Sequence, residues 1–341
     1  MAINIGLMGF GRIGRNIFRI VHKREDMAVT VISDIAEPAA QQYLLRFDTT
    51  LGRFPEPVVL EEGVMYAGGR RTRLVAGRDP GDVNWKELGV EFVIEATGRQ
   101  RSRAEIEKHL AMGARHVILC APPVDEPDIT VVFGVNENEM SSGHRIVSNG
   151  SCTANAAGPV VNLLHQTFGI RQGFLTTVHA YTNDQRLADV PAADLRRSRA
   201  AAENIIPTET RAHEMLMKLI PGLTGRLGGL AMNVPVPDGS VVDLVVQLER
   251  PASVKAVNET VRAAAAGALS GIIAYEENPI VSSDVVLSRS SGIFDSLATQ
   301  TLGEDLIRVL IWFENGWGYA HRAIDVIGRL ATIGERQEVA R

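Results

Sequence analysis

The stretch "INIGLMGFGRIGRN", residues 3–16, decides how the rest of the chain is read. It opens with alternating apolar and small residues, a strand pattern, and passes into "RIGRNIFRIVHKR", whose apolar residues recur at helical spacing. Between the two, Gly9, Gly11 and Gly14 stand in G-x-G-x-x-G spacing. A lone match to that pattern is weak. Here it follows a predicted strand and opens a predicted helix, and Asp34 closes the next strand, "MAVTVISD", twenty residues after Gly14. Gly9 permits the tight turn, Gly11 lets backbone approach a pyrophosphate, and Gly14 allows close helix–sheet packing, while the helix N-terminus stabilises phosphate charge. Asp34 would accept hydrogen bonds from adenosine ribose hydroxyls. With Glu37 it would repel a 2′-phosphate, which favours NAD over NADP. The alternatives are a glycine-rich turn of another α/β protein and, for Asp34 alone, a solvated acid at a strand end.

Around this stretch the chain alternates strand-like and helix-like patterns. A glycine-punctuated hairpin is expected at Gly68 and Gly69. "VEFVIEATG" (90–98), "ARHVILCAPP" (114–123) and "DITVVFGVN" (128–136) are nearly continuous apolar runs, as strands buried on both faces of a parallel sheet read. "SRAEIEKHLAMGA" is a helix between the first two of these, with Gly113 near its stop. After about residue 150 the texture changes. A helix precedes long alternating strands, "GFLTTVHAYT", "GLAMNVPV", "GSVVDLVVQLE", "IIAYEE" and "RVLIWFEN", with few helices between them. That predicts a mostly antiparallel sheet and an α+β second domain. The fold class expected is α/β: an N-terminal Rossmann dinucleotide-binding domain followed by an α+β catalytic domain. Tyr181 to Ala202 has no strong period, and unstructured loops of that length are often functional. "YAHRAIDVIGRLATIG" reads as a last helix.

Composition agrees with this division and removes other classes. A chain of 341 residues is longer than one ordinary domain, and 45% apolar residues can bury a sizeable core. A net charge of −5 with one short basic cluster, "DLRRSR" (194–199), gives no nucleic-acid stripe. No apolar run is long enough to span a bilayer. The N-terminus shows neither a basic n-region nor a cleavage site, so the expected compartment is the cytoplasm. Two cysteines, Cys120 and Cys152, make neither a disulfide framework nor a zinc site, and no metal is expected.

Cys152 lies in "VSNGSCTANAAGP" (147–159), just where an apolar helix begins. There it meets unpaired N–H groups and the positive end of the dipole, both of which favour thiolate, and Ser151 is a candidate N-cap. The bland reading is a small buried hydrophobe, which is the reading preferred for Cys120 in "VILCAPP". A nucleophile needs a base. His179, in "TTVHAYT", is either that base or a core histidine, and the pattern by itself does not bring it to Cys152.

The motifs "NIGLMGFGRIGRN", "EATGR", "SNGSCTAN", "TTVHAYTNDQ", "DLRRSRAAAENIIPT", "SVVDLVVQLE" and "NGWGYAHR" follow in order. Over essentially its whole length the chain resembles the phosphorylating glyceraldehyde-3-phosphate dehydrogenase family, including its erythrose-4-phosphate relatives. The resemblance implies an NAD-binding domain at 1–151, with the helix 316–341 packing back on it, and a catalytic domain at 152–315. It implies Cys152 as nucleophile and His179 as base. The cofactor contacts it implies are Gly9, Gly11, Arg12, Ile13, Gly14, Asp34, Thr97, Gly98 and Asn315, and the partners are a small phosphorylated aldehyde and inorganic phosphate. Ser151, Thr153, Arg197 and Thr210 match the site for attacking phosphate, and Thr182 that for the substrate's own phosphate.

The chain departs from the family at several of these places. Asn233 stands where an arginine is expected in the substrate-phosphate site, and Arg211 where a glycine is expected. Arg211 either restores a charge from another direction or is a solvated surface arginine. Gly150 replaces an alanine and is expected to loosen the approach to the nucleophile. Gln100 replaces an aromatic expected to stack on adenine, and Gly316 replaces an acid. The 181–202 segment matches a loop that packs across a subunit interface, which implies a homotetramer. Asn233 keeps another aldehyde in play, such as erythrose 4-phosphate or an unphosphorylated one. A paralogue that binds NAD without turnover is the reading from a different class.

Overall fold

The computed structural model describes residues 2–339, with side chains described through 335. The chain divides into two compact units: residues 1–131, 138–150 and 320–341 form the first, and 132–137 with 151–319 the second.

The first unit begins with β1 (Ile3–Met8), α1 (Arg12–Val21), β2 (Met27–Asp34) and α2 (Pro38–Arg46). A small ladder, β3 (Phe47–Asp48) with β4 (Gly52–Arg53), stands apart from the main sheet. Then come β5 (Val58–Glu61), β6 (Val64–Ala67), β7 (Arg70–Ala76), β8 (Phe92–Glu95), α3 (Arg103–Ala111), β9 (His116–Leu119), β10 (Ile129–Thr130) and β11 (Ile146–Ser148). The sheet order is β10-β11-β9-β8-β1-β2-β7-β6-β5. From β10 to β7 every pair is parallel, and the last two form antiparallel hairpins. Ile5, Leu7, Val93, Ile94, Val117 and Ile118 in the central strands have no exposure, as expected where helices cover both faces. The chain leaves β1 toward β2 on one side and later returns to β8 on the other, so the strand order reverses between β1 and β8. Ligands of such sheets bind at the carboxyl ends of the strands flanking that reversal.

The apolar runs overstate the strands. "DITVVFGVN" yields only Ile129–Thr130 as strand. Val131 and Val132 are fully buried, but the chain turns at Gly134 (φ +84°), and Asn136 Oδ1 accepts from Val132 N at 2.9 Å. Burial without a ladder looks, in sequence, the same as burial within one.

The second unit holds α4 (Cys152–Phe168), β12 (Ile170–Ala180), β13 (Ile206–Thr208), α5 (Ala212–Leu219), β14 (Leu227–Val234), β15 (Ser240–Leu248), α6 (Val254–Ala266), β16 (Ile273–Glu276), β17 (Gly292–Leu302) and β18 (Leu306–Phe313). Its sheet order is β13-β14-β12-β15-β18-β17-β16. The pairs β12–β14 and β16–β17 are parallel and the other four antiparallel. One face is covered by α4, whose Ala154, Ala157, Val161 and Leu164 pack among Leu175, Leu244, Val309 and Ile311. The opposite face carries Phe174, 71% exposed. A last helix, α7 (Trp317–Val339), belongs to the first unit from Ala320 onward.

Candidate active site

In the first unit, the turn after β1 has the geometry its glycines predict. Gly9 has φ +94°, and a Cβ there would come within 2.7 Å of Thr97 N, so the turns after β1 and β8 touch backbone to backbone. A Cβ on Gly14 would lie 2.2 Å from Gly9 O, so only glycine lets α1 pack on the turn. A Cβ on Gly11 meets nothing within 4 Å. Gly11 is also the N-cap of α1 and has no side chain to occupy the helix's free N–H groups, which leaves the dipole end open. Arg12 and Ile13, half-buried, are the first helical residues.

Asp34 ends β2 as expected, and its carboxylate already has backbone partners. Oδ2 accepts from Phe10 N at 2.5 Å and Oδ1 from Ala36 N at 2.8 Å. Arg15 Nη1 donates to Phe10 O at 3.0 Å, so both ends of the Phe10 residue are fixed. Each carboxylate oxygen keeps a second lone pair. At the end of β8, Thr97 is half-buried and Gly98 exposed, the latter with φ +68°. The Gln100 side chain donates to Arg78 O at 3.4 Å.

In the second unit Cys152 is the first residue of α4. Ser151 is its N-cap, accepting from Ala154 N at 3.1 Å, and Asn155 Nδ2 donates to Ser151 O at 3.0 Å. Gly150 immediately before has φ +63°. The turn into α4 requires a left-handed residue, and glycine adopts that conformation without the Cβ clash an alanine would meet.

The fold brings His179 to the cysteine: Nε2 lies 3.6 Å from Cys152 Sγ. His179 Nδ1–H donates to Ala180 O at 2.6 Å, which leaves Nε2 as the nitrogen facing the thiol. The ring stands edge-on to the buried Phe313, centroids 5.9 Å apart. Burial opposes ionisation of the thiol. The hydrogen bond and charge of His179 outweigh it, helped by the N–H and hydroxyl of Thr153, and hold Cys152 below the ordinary thiol range. Cys120, by contrast, is buried beside Glu95, and burial first and that carboxylate second push its thiol far up. It remains an inert apolar residue.

Around the pair, Asn233 sits in β14 directly beside His179 in register and is 8% exposed. Thr210 Oγ1 accepts from Ala212 N at the start of α5, and Arg211, the N-cap of that helix, is exposed. Thr182 and Arg197, matched to two different anion sites, are joined here by one carboxylate. The Thr182 hydroxyl donates to Asp184 Oδ1, and Arg197 Nη2 pairs with Asp184 Oδ2. Partial burial of Asp184 opposes ionisation, but Thr182 and Arg197 hold its carboxyl below the usual range. Asp184 lies in the stretch "TTVHAYTNDQ", but nothing in that pattern assigns it a role. Glu314 was also missed: it is buried and accepts from Gly316 N at 3.1 Å and from Trp317 N, capping the start of α7. Asn315 beside it has a buried Oδ1 with no hydrogen-bond partner among the described residues.

These features test whether the chain fits a nicotinamide dinucleotide. The open side of Gly11 and the uncapped α1 terminus suit a pyrophosphate, and the orphaned amide oxygen of Asn315 suits a carboxamide N–H. Both fit. An open glycine turn at a strand-order reversal in one unit, and a thiol primed by an imidazole in the other, are the parts of a nucleotide-dependent dehydrogenase.

Comparison with known proteins narrows this. Residues 3–103 match the NAD binding domain of glyceraldehyde 3-phosphate dehydrogenase, and residues 151–315 match its C-terminal domain. The chain is 44% identical over 335 residues to glyceraldehyde-3-phosphate dehydrogenase of Geobacillus stearothermophilus, covering 98% of this chain and 100% of that one. It is 45% identical over 329 residues to the Streptomyces coelicolor enzyme of the same name, covering 96% and 98%. The chain belongs to the glyceraldehyde-3-phosphate dehydrogenase family, and it is an NAD-dependent oxidoreductase. Among the described residues no helix is long and apolar enough to cross a membrane.

Proposed function

We propose that the chain oxidises glyceraldehyde 3-phosphate, with inorganic phosphate, to the acyl phosphate through a thioester on Cys152. The observation that carries this is the 3.6 Å approach of His179 Nε2 to Cys152 Sγ at the N-terminus of α4. Cys152 thiolate adds to the aldehyde carbon, and the oxygen so charged takes the Nε2 proton of the His179 imidazolium to give a neutral hemithioacetal. Before that transfer the oxyanion lies near the free N–H of Cys152 at the helix start. His179 Nε2, now neutral, takes the hydroxyl proton back as the carbon is oxidised, its ring held by the Nδ1–H bond to Ala180 O. NAD supplies the hydride acceptor. Gly9, Gly11, Arg12, Ile13, Gly14, Asp34, Thr97, Gly98 and Asn315 are the residues that would hold it. Phosphate then attacks the thioester carbonyl, and the thiolate leaves and re-forms its pair with His179.

Ser151, Thr153, Thr210 and Arg197 bind the attacking phosphate, hydroxyls and a guanidinium being suited to a tetrahedral oxyanion. Thr182 and Asn233 receive the substrate's phosphate. Family membership favours glyceraldehyde 3-phosphate over the other aldehydes and over a paralogue without turnover. The enzyme is proposed to be a cytoplasmic homotetramer. The support is the second-unit sheet face opposite α4, where Phe174 stands 71% exposed, and the 181–202 segment, where Leu187 and Leu195 are 84% and 81% exposed.

The test is NADH formation with glyceraldehyde 3-phosphate, erythrose 4-phosphate and unphosphorylated glyceraldehyde, each with and without phosphate. Preference for the first, dependent on phosphate, is expected. Preference for either of the others would overturn the substrate assignment and leave the thiol chemistry standing.

A further inference from the structure

Trp85, Glu95 and His109 lie in the first unit, are wholly buried, and take no part in the chemistry above. Trp85 Nε1 lies 3.0 Å from His109 Nδ1. An indole nitrogen only donates, so Nδ1 accepts, and the hydrogen of the neutral ring is on Nε2. Nε2 lies 3.3 Å from Glu95 Oε2. The other carboxylate oxygen, Oε1, accepts from Thr97 N at 2.8 Å and from the Thr97 hydroxyl. With its hydrogen committed to Glu95, Thr97 Oγ1 accepts from Arg99 N at 3.1 Å and Gln100 N at 3.4 Å. Two series of hydrogen bonds thus converge on the Glu95 carboxylate at the end of β8, one from a buried indole through His109 of α3, the other from the backbone of the 97–100 turn through Thr97.

We propose that Glu95 and His109, backed by Trp85, are positioning residues for the cofactor site, holding the 96–100 turn in the conformation that NAD meets. The proposal rests on the reading of Thr97 and Gly98 as cofactor contacts. An apolar residue at position 95 would stabilise a buried strand end as well as a carboxylate or better, because a buried charge needs every partner satisfied. What an apolar residue lacks is acceptors. Here they fix a turn whose Gly98 sits in the left-handed region and whose Thr97 backbone leaves no room for a Cβ on Gly9. Movement of Thr97 would therefore disturb the glycine turn as well.

Two variants of similar size at His109 test this. His109→Gln keeps an acceptor for Trp85 and a donor for Glu95, whereas His109→Leu keeps neither. The readouts are KM for NAD, kcat at saturating NAD, and hydrogen exchange of the Thr97, Arg99 and Gln100 amides. For His109→Leu we expect KM for NAD to rise about fivefold to tenfold, with kcat within about twofold, the scale set by one or two lost hydrogen bonds. Protection of the three amides should be lost with it, and His109→Gln should restore both. Unchanged protection in His109→Leu would overturn the network itself. Lost protection with unchanged KM would instead overturn the reading of the turn as a cofactor contact, and the proposal with it. Should His109→Leu fail to fold, exchange in the unaltered protein decides: rapid exchange of the Arg99 and Gln100 amides overturns the proposal, slow exchange in these residues, the first exposed and the second half-buried, supports it.

Discussion

Two helix N-termini in this chain are put to opposite uses. α1 begins at Gly11, which has no side chain, and a Cβ there would meet nothing within 4 Å. α4 begins at Cys152, and Ser151 before it occupies one of the free donors by accepting from Ala154 N. Both ends carry the same partial positive charge. The first is left open, so it serves an anion that arrives from outside. The second has one donor taken by its own cap, and before any substrate arrives it already serves an anion belonging to the protein, the Cys152 thiolate. Whether a helix terminus binds a ligand or activates a residue is decided here by the one or two residues that precede it.

Four substitutions probe this contrast. Cys152→Ser removes the resident anion and should lower NADH formation by about a thousandfold or more, while NAD binding stays within about twofold. Near-normal turnover would remove Cys152 from the mechanism. His179→Ala removes the group that holds the thiol below its ordinary range, so the pH profile of Cys152 alkylation should move upward and the rate at neutral pH fall about tenfold. An unshifted profile would mean that the helix terminus alone activates the thiol. Gly11→Asp gives α1 an acidic cap of its own. KM for NAD should rise about tenfold while thermal stability holds or improves, since the carboxylate suits the helix and opposes the pyrophosphate. If KM does not change, the open terminus is not where the phosphates lie. Ser151→Ala uncaps α4 and should cost about 1 kcal/mol in urea unfolding, with KM for NAD unchanged.

The contrast also marks what can be read from sequence. The α1 turn is local, and its glycine spacing, the strand before it and the acid after it fall within a few dozen residues. So does the placement of Cys152 at a helix start, because capping is a matter of adjacent residues. His179 is another matter. It meets Cys152 only because β12 returns beneath α4, and nothing in "TTVHAYT" distinguishes a base from a core histidine. The Asp184 clamp on Thr182 and Arg197, and the buried series from Trp85 to Thr97, depend in the same way on side chains that the fold assembles. Strand limits were blurred for another reason. Val132 and Ala121 are buried just beyond the strands they follow, and an apolar pattern records burial, not the limits of pairing.

The hold that Asp34 and Arg15 have on Phe10 bears on attempts to redesign the cofactor preference. Replacing an acid at the end of the second strand is the obvious route toward a dinucleotide with an extra phosphate. In this chain the same carboxylate accepts the Phe10 N–H, so alanine would remove the charge and loosen the turn together. Asparagine would remove the charge and keep an acceptor for that N–H. Asp34→Asn should therefore gain activity with NADP while retaining more of its affinity for NAD than Asp34→Ala, a difference visible in the two Michaelis constants. Selectivity and scaffold share one side chain here, and an exchange of cofactor has to preserve its role in the turn.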